Sequence, residues 1–370
     1  MKKYFLTILS LILSTLAFSQ QTNYNLLIGT YTSGGKSEGI YDYSFSTLKA
    51  TTKLKAVTKD LANPSYLTIS PDGKFAYSVN ETGNTSSVSA FKYNSVSGEL
   101  VFLNKVNSEG ADPCYITADA KNVIIANYSG GSLAVFSRKT DGSLTNATQI
   151  IKHSGKSIDP KGRQESAHVH MVKFTPDHKY LICNDLGEDQ IYIYNYNPTS
   201  KTQILTIKNV IKTNAGTGPR HITFSPNGKF AYLAHEFNGS VTAFAYSNGT
   251  LKKIQEITTT PKEFIGKIDG ADIHVSADGK FLYESNRGDA NSITVFSILP
   301  TGILKFVEHV STLGKGPRNF TIDPSGKFLL VAHQYTDDVV IFKRNKLTGK
   351  LTDSGKRISV GAPVCLVFTK

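Results

Sequence analysis

This chain of 370 residues predicts an all-β fold, a seven-bladed β-propeller with four antiparallel strands per blade, and three observations carry that prediction. A similar segment recurs at intervals of roughly 50 residues. Within each recurrence apolar residues alternate with a period of two rather than ~3.6, the pattern of strands. The two ends of the chain are complementary parts of one further unit.

The recurring segment is clearest in PSYLTISPDGKFAYSVNE from Pro64, PRHITFSPNGKFAYLAHE from Pro219 and PRNFTIDPSGKFLLVAHQ from Pro317. HMVKFTPDHKYLICNDLG from His170 and ADIHVSADGKFLYESNRG from Ala271 follow the same plan. PCYITADAKNVIIANYSG from Pro113 is a shortened relative, and PVCLVFTK from Pro363 contains only the opening strand. In each full unit a first strand (HITFS) meets a turn of the Pro/Asp/Asn/Gly-Lys type. A second strand (KFAYLAH) and a third (SVTAFAY) follow, then a glycine turn and an edge-like fourth (LKKIQEIT). No ten-residue amphipathic helical pattern interrupts them.

At the N-terminal end, NLLIGTY, GIYDYSFS and LKAVTKDL read as second, third and fourth strands with no first strand before them. The missing strand is PVCLVFTK, the last eight residues. One blade built from both termini closes the ring and removes a sheet edge that would otherwise template aggregation. Residues 21–370 are therefore expected to form a single propeller domain.

Residues 1–20, MKKYFLTILSLILSTLAFSQ, have the form of a secretory signal: two lysines, an apolar run, and small residues at Ala17 and Ser19. The run is too short for a permanent anchor. Export to the periplasm is the expectation, without stable membrane insertion. Losing Lys2 and Lys3 takes the formal charge from +12 to +10. Most of this excess is lysine scattered through turns, with no basic helix or zinc-finger spacing, so nucleic acid is not an expected partner. Cys114, Cys183 and Cys365 are odd in number, far apart and set in apolar runs, which reads as buried small hydrophobes rather than a disulfide scaffold.

In such a ring the start of each first strand and the end of each second strand reach the same face. That face collects Arg220 and Arg318 after the motif proline, His170 at the equivalent offset, and Glu81, Glu236, Arg287 and Gln334 seven residues beyond the turn lysine. Asp185 and His235 lie in the neighbouring slot. Arginine forks match carboxylate or phosphate oxygens, so an anionic small molecule is the expected ligand of this mouth. His168 and His170 stand two apart on one strand, with His221, His274 and Asp272 at comparable inner levels. This spacing permits coordination, but no full metal-ligand set is evident, and neither a metal nor a cofactor is expected.

Several motifs together resemble the seven-bladed lactonase family: GTYT at Gly29, NPSYL at Asn63, ANYSGG at Ala126, RQ at Arg163 followed by HVH, DLG at Asp185, GPRH at Gly218, SNRG ending at Gly288 and GPRNF at Gly316. The resemblance covers residues 24–368. It implies hydrolysis of a sugar-acid lactone, as in propeller-type 6-phosphogluconolactonase, with His170 (or His168), Arg220, Glu236 and Arg287 as the active group. His168, Asp185, His221, Asp272, His274, Arg318 and Glu81 are the accompanying candidates for substrate binding. HEF stands here where relatives commonly have NEL, and SAHVH where PHAH is usual. In this reading His170 or Glu236 activates water, and Arg220 and Arg287 hold the anion and polarise the carbonyl. A serine nucleophile elbow needs a strand-to-helix turn and no helical pattern is present, so a serine acyl-enzyme is not expected. Muconate-type lactonising cyclisation and non-enzymatic ligand or protein binding at the same mouth remain the alternatives. No feature sets an oligomeric state, and a monomer is compatible.

Overall fold

The computed structural model describes residues 22–159 and 161–370, so the signal-like segment lies outside the described residues. Seven four-stranded antiparallel sheets form the molecule. Blades 1 to 6 span residues 67–107, 113–152, 169–212, 219–258, 268–311 and 317–359, each with its strands in sequence order from the inside outward. Blade 7 combines Pro363–Thr369 with Asn23–Thr30, Gly39–Ser46 and Thr52–Lys59. In it Leu366 pairs with Ile28 and Phe368 with Leu26, so the last strand of the chain is the innermost strand of the blade that the first residues begin.

Alternation drives each blade together. Second strands such as Phe75–Asn80 and Phe328–His333 are buried on both faces, whereas the fourth strand Leu205–Lys212 is mostly exposed. Apolar side chains from neighbouring blades interdigitate: Leu330 and Ile341 of blade 6 pack with Leu26 and Ile28 of blade 7, and Ile124, Ile182 and Leu233 join blades 2, 3 and 4. Inner strands are also tied across blades. Leu366 N donates to Asn319 Oδ1 at 2.7 Å and Asn184 Nδ2 to the Arg220 carbonyl at 3.0 Å.

The repeated FAY or FLY of the second strand has a specific purpose. Tyr77, Tyr232 and Tyr283 donate to the carbonyls of Gly142, Gly302 and Gly349 in the outer hairpin of the next blade, at 3.0, 3.1 and 2.7 Å. Phe75, Phe230 and Phe281 lie so close to those glycines that any side chain there would collide with the ring. Turns between first and second strands repeat as well. Ser225 Oγ accepts the Phe230 amide at 3.0 Å, and Gly228 takes φ +67, a conformation that glycine adopts without strain. Among the described residues the one helical element is the 3-10 turn Gly83–Thr85, and no helix is long and apolar enough to cross a membrane.

Candidate active site

Inner strands pair regularly with second strands except near their beginnings, where the register slips. In blades 2, 3, 4 and 6 the extra residue is Cys114, His170, Arg220 and Arg318. A bulge leaves its residue unpaired and re-aims the side chain. Repetition of this device around the ring turns the motif-proline position into a converging set. His170, Arg318 and Cys114 accordingly line one cavity of about 240 Å³ together with Tyr31, Glu81, Tyr128, Arg163, Glu236 and Arg287.

Glu236, immediately after the second strand of blade 4, is the electrostatic hub. Its Oε1 meets Arg163 Nη1 at 2.7 Å and Arg287 Nη2 at 3.0 Å, and its Oε2 meets Arg220 Nε at 2.9 Å. Burial opposes its ionisation, but the guanidiniums of Arg287, Arg220 and Arg163 outweigh burial and hold the carboxyl far below the usual range. A carboxylate so stabilised is a poor proton acceptor. Glu236 is thus the counter-ion that gathers three arginines.

The four arginines are unequal. Arg220 is 2% exposed and also donates to the Ala271 carbonyl at 2.6 Å, which places it in the floor beside a narrow crevice lined by Tyr66, His221 and Val364. Burial and the proximity of Arg287 bring its pKa down to about 10, still cationic at neutral pH. Arg287 bonds Glu236 and the Gly270 carbonyl, leaving its Nε without a partner. Arg318 packs over the Tyr31 ring at 5.7 Å and forms no ion pair among the described residues, so its guanidinium is the one available to an incoming anion.

His170 is 4% exposed, and its Nδ1 has no hydrogen-bond partner. Burial, then the charges of Arg220 and neighbouring groups, holds its pKa well below 6.5, so the imidazole is neutral at pH 7. Its ring meets Tyr128 edge-on at 5.5 Å and His221 at 5.2 Å. His221 is lowered to about 4, chiefly by burial and Arg220, and its Nδ1 lies 2.9 Å from Asp272 Oδ1.

The remaining candidates separate into two groups. Glu81 joins the cavity, where Tyr31 Oη and Ser65 Oγ both donate to its Oε2 at 2.8 and 2.7 Å. His168, Asp185, His221, Asp272 and His274 do not line it. The ring of His168, just before the strand, stacks on Tyr128 and bonds the Tyr128 carbonyl at 3.1 Å, while the bulge two residues on re-aims His170 to the cavity. Asp185 accepts the amides of His168, Gly187 and Glu188 and pairs with His153 at 2.6 Å, so its oxygens are committed to closing a turn. Asp272 is bonded by His221, His274 and Asn319.

Arg163, Tyr128 and Tyr31 belong to the site and were missed as site residues in the sequence. Arg163 comes from the linker between blades 2 and 3; its guanidinium bonds Tyr128 Oη at 2.8 Å and lies over the Phe237 ring at 5.1 Å. The one signal was the RQ motif in that linker. Cys114, expected to be a buried hydrophobe, is buried but also faces the cavity, and burial pushes its thiol above the ordinary range, which keeps it from acting as a thiolate nucleophile. The donors of His153, Asp185 and Glu188 come within 4.8 Å of one another, a spacing open to a metal ion. They are already engaged, however: His153 with Asp185 and Tyr194, Glu188 with the Gly155 amide and Tyr192.

Comparisons with known proteins place the chain in one family. Residues 25–368 match the family described as Lactonase, 7-bladed beta-propeller. The 6-phosphogluconolactonase of Bacillus subtilis is 38% identical over 352 residues, covering 94% of this chain and 99% of that protein. A crystal structure of a putative 6-phosphogluconolactonase from Bacteroides fragilis superposes with a TM-score of 0.91 at 43% identity, covering 95% of this chain and 99% of that one. The structure of a periplasmic gluconolactonase from Pseudomonas aeruginosa has a TM-score of 0.89 at 36% identity, with 94% and 99% coverage.

Proposed function

The chain belongs to the seven-bladed β-propeller lactonase family, and from that premise and the cavity we propose that it hydrolyses a sugar-acid lactone with His170 as base and Arg318 as the principal anion-binding group. The observation that carries the residue assignment is the meeting, in one cavity, of a neutral imidazole and a guanidinium that forms no ion pair among the described residues.

Lactone opening needs an activated water and a group that stabilises the oxyanion. Water adds to the carbonyl carbon while His170 takes its proton, and the carbonyl π electrons move to oxygen. Arg318, with Arg287 behind it, stabilises that negative charge, which in turn favours the imidazolium. Collapse reforms the carbonyl and breaks the ring C–O bond, and the imidazolium returns its proton to the departing alkoxide. Glu236 holds Arg163, Arg220 and Arg287 in place and limits their mutual repulsion. The secretory pattern of residues 1–20 supports periplasmic action, and a related protein is named a periplasmic gluconolactonase.

The deciding experiment follows proton release by the purified mature chain on gluconolactone, 6-phosphogluconolactone and carboxymuconate. Turnover of a sugar-acid lactone above the spontaneous rate is expected. Action on carboxymuconate alone, or on none of the three, would overturn the reading.

A further inference from the structure

Next to the site cavity is a larger pocket of about 590 Å³, lined by Tyr31, Ser33, Gly34, Lys36, Asn63, Glu81, Asp112, Gln334, Tyr335, Asp337 and Ala362. The two share Tyr31 and Glu81, whose 2.8 Å hydrogen bond forms the sill between them. By itself the 240 Å³ cavity is smaller than ordinary small-molecule sites of ~300–1,000 Å³; with its neighbour the space falls inside that range.

The two compartments have opposite character. Three arginines, Arg163, Arg287 and Arg318, against Glu236 and Glu81 make the inner one cationic. In the outer one Glu81, Asp112 and Asp337 face a single cation, Lys36, whose amine is tied to Asp337 at 2.8 Å. A phosphate or carboxylate there would meet uncompensated negative charge, whereas neutral hydroxyls would find acceptors. Some polar capacity remains open. Tyr31 and Ser65 share Oε2 of Glu81, which leaves Oε1 for a ligand, and Gln334 lines the same space. Tyr335 lies against Gly316 and is 61% exposed, presenting an aromatic face beside these groups. A flat apolar ring with carboxylate and amide groups around it suits a pyranose, which has an apolar C–H face and hydroxyl edges.

We propose that this outer pocket is a glycosyl subsite, so that the substrate is a glycosylated aldonolactone whose lactone ring occupies the arginine cavity while an attached neutral sugar extends past Tyr31 onto Tyr335. The inference rests on the lactonase reading and narrows its substrate class.

Gly34 lines this pocket but not the catalytic cavity, has open space around the position of a side chain, and lies outside the left-handed backbone region, so Gly34→Trp adds bulk at the pocket without backbone strain. Wild type, Gly34→Trp and Tyr335→Ala are compared on cellobionolactone, gluconolactone and 6-phosphogluconolactone, after each variant is confirmed to unfold thermally like wild type. Wild type should favour cellobionolactone over gluconolactone in kcat/KM by at least about tenfold, ~1.4 kcal/mol. Both variants should lose most of that preference while their kcat/KM on the two single-sugar lactones stays unchanged. Equal use of cellobionolactone and gluconolactone, or a preference that survives in both folded variants, overturns the subsite and leaves the lactonase reading standing. A selective loss on 6-phosphogluconolactone would show that the pocket takes phosphate and also overturns it. No turnover of any lactone would refute the lactonase reading itself.

Discussion

Glu236 and Asp272 are both fully buried carboxylates, 1% and 2% exposed, and both are held ionised against the cost of burial. Their surroundings nevertheless differ in kind. Asp272 is saturated: Oδ1 accepts from His221 and the Ile273 amide, Oδ2 from His274, Asn319 and the Phe320 amide. Around Glu236 the carboxylate is satisfied but its neighbours are less so: among the described residues His170 Nδ1 and Arg287 Nε lack hydrogen-bond partners, and Arg318 forms no ion pair, feeling Glu81 and Glu236 only through longer-range attraction. A saturated buried network stabilises one arrangement of the strands it joins. A network with spare donors and acceptors facing a cavity is poised for a ligand. Charge content alone does not separate them, because both clusters contain acid and base residues on inner strands.

The largest effect that would sharpen this contrast is catalytic. His170→Ala should lower kcat by ~10² to 10⁴-fold, the usual worth of a general base, while His221→Gln should lower it far less. Steady-state kinetics on gluconolactone decide the matter, and equal losses in the two variants would erase the distinction between the clusters.

Next in size is stability. Removing one member of a buried charge cluster costs about 3–5 kcal/mol, so Glu236→Gln and Asp272→Asn should both shift urea unfolding by that order. Folded Asp272→Asn should keep near-wild-type kinetics, whereas folded Glu236→Gln should not. A Glu236→Gln protein with normal kinetics would remove the hub from the site.

His235 sharpens the comparison from beside the hub. Burial, only partly offset by the charges of Glu256 and Asp189, leaves its pKa at about 4, and its Nε2 lies 2.8 Å from Thr242 Oγ1. The unfolded chain takes up a proton near pH ~6.5 and the folded chain only near 4, so His235 makes stability fall as the pH drops through that window, by up to about 3 kcal/mol, and contributes no pH dependence above it. His235→Gln should lose that part of the acid sensitivity. Unfolding free energies for variant and wild type at pH 7 and 4.5 test this, and parallel decreases would contradict it.

Smaller effects should separate the arginines. Arg318→Ala should raise KM about tenfold or more, ~1.4 kcal/mol, with a lesser fall in kcat, because this guanidinium lines the cavity and forms no ion pair among the described residues. Arg220→Ala should instead be read mainly in stability, since that group is bonded to Glu236 and the Ala271 carbonyl. Finally, because the pKa of His170 is depressed, the acid limb of kcat/KM should lie well below pH 6.5; a midpoint at the ordinary histidine value would mean that the base is another group.

The sequence by itself determined the ring. Alternation of period two, the Pro/Asp/Asn/Gly-Lys turns and the FAY repeats act over a few residues, so each blade was legible locally, and the divided seventh blade followed from counting strands at the two ends. It also determined which face collects charge, because a repeated register carries equivalent positions to equivalent heights; Arg220, Glu236, Arg287, Arg318, Glu81 and His170 met there as expected. Only the tertiary structure decided the partnerships. Whether Asp185 faces a ligand or a turn, and which arginine remains unpaired, depends on contacts between segments tens of residues apart and on bulges that turn one neighbour inward and the next away. Arg163 lies in a linker outside the repeat, so no register could place it, and the desolvation that keeps the His170 imidazole neutral, like the arginine cluster that keeps Glu236 ionised against burial, exists only once the blades have closed around them.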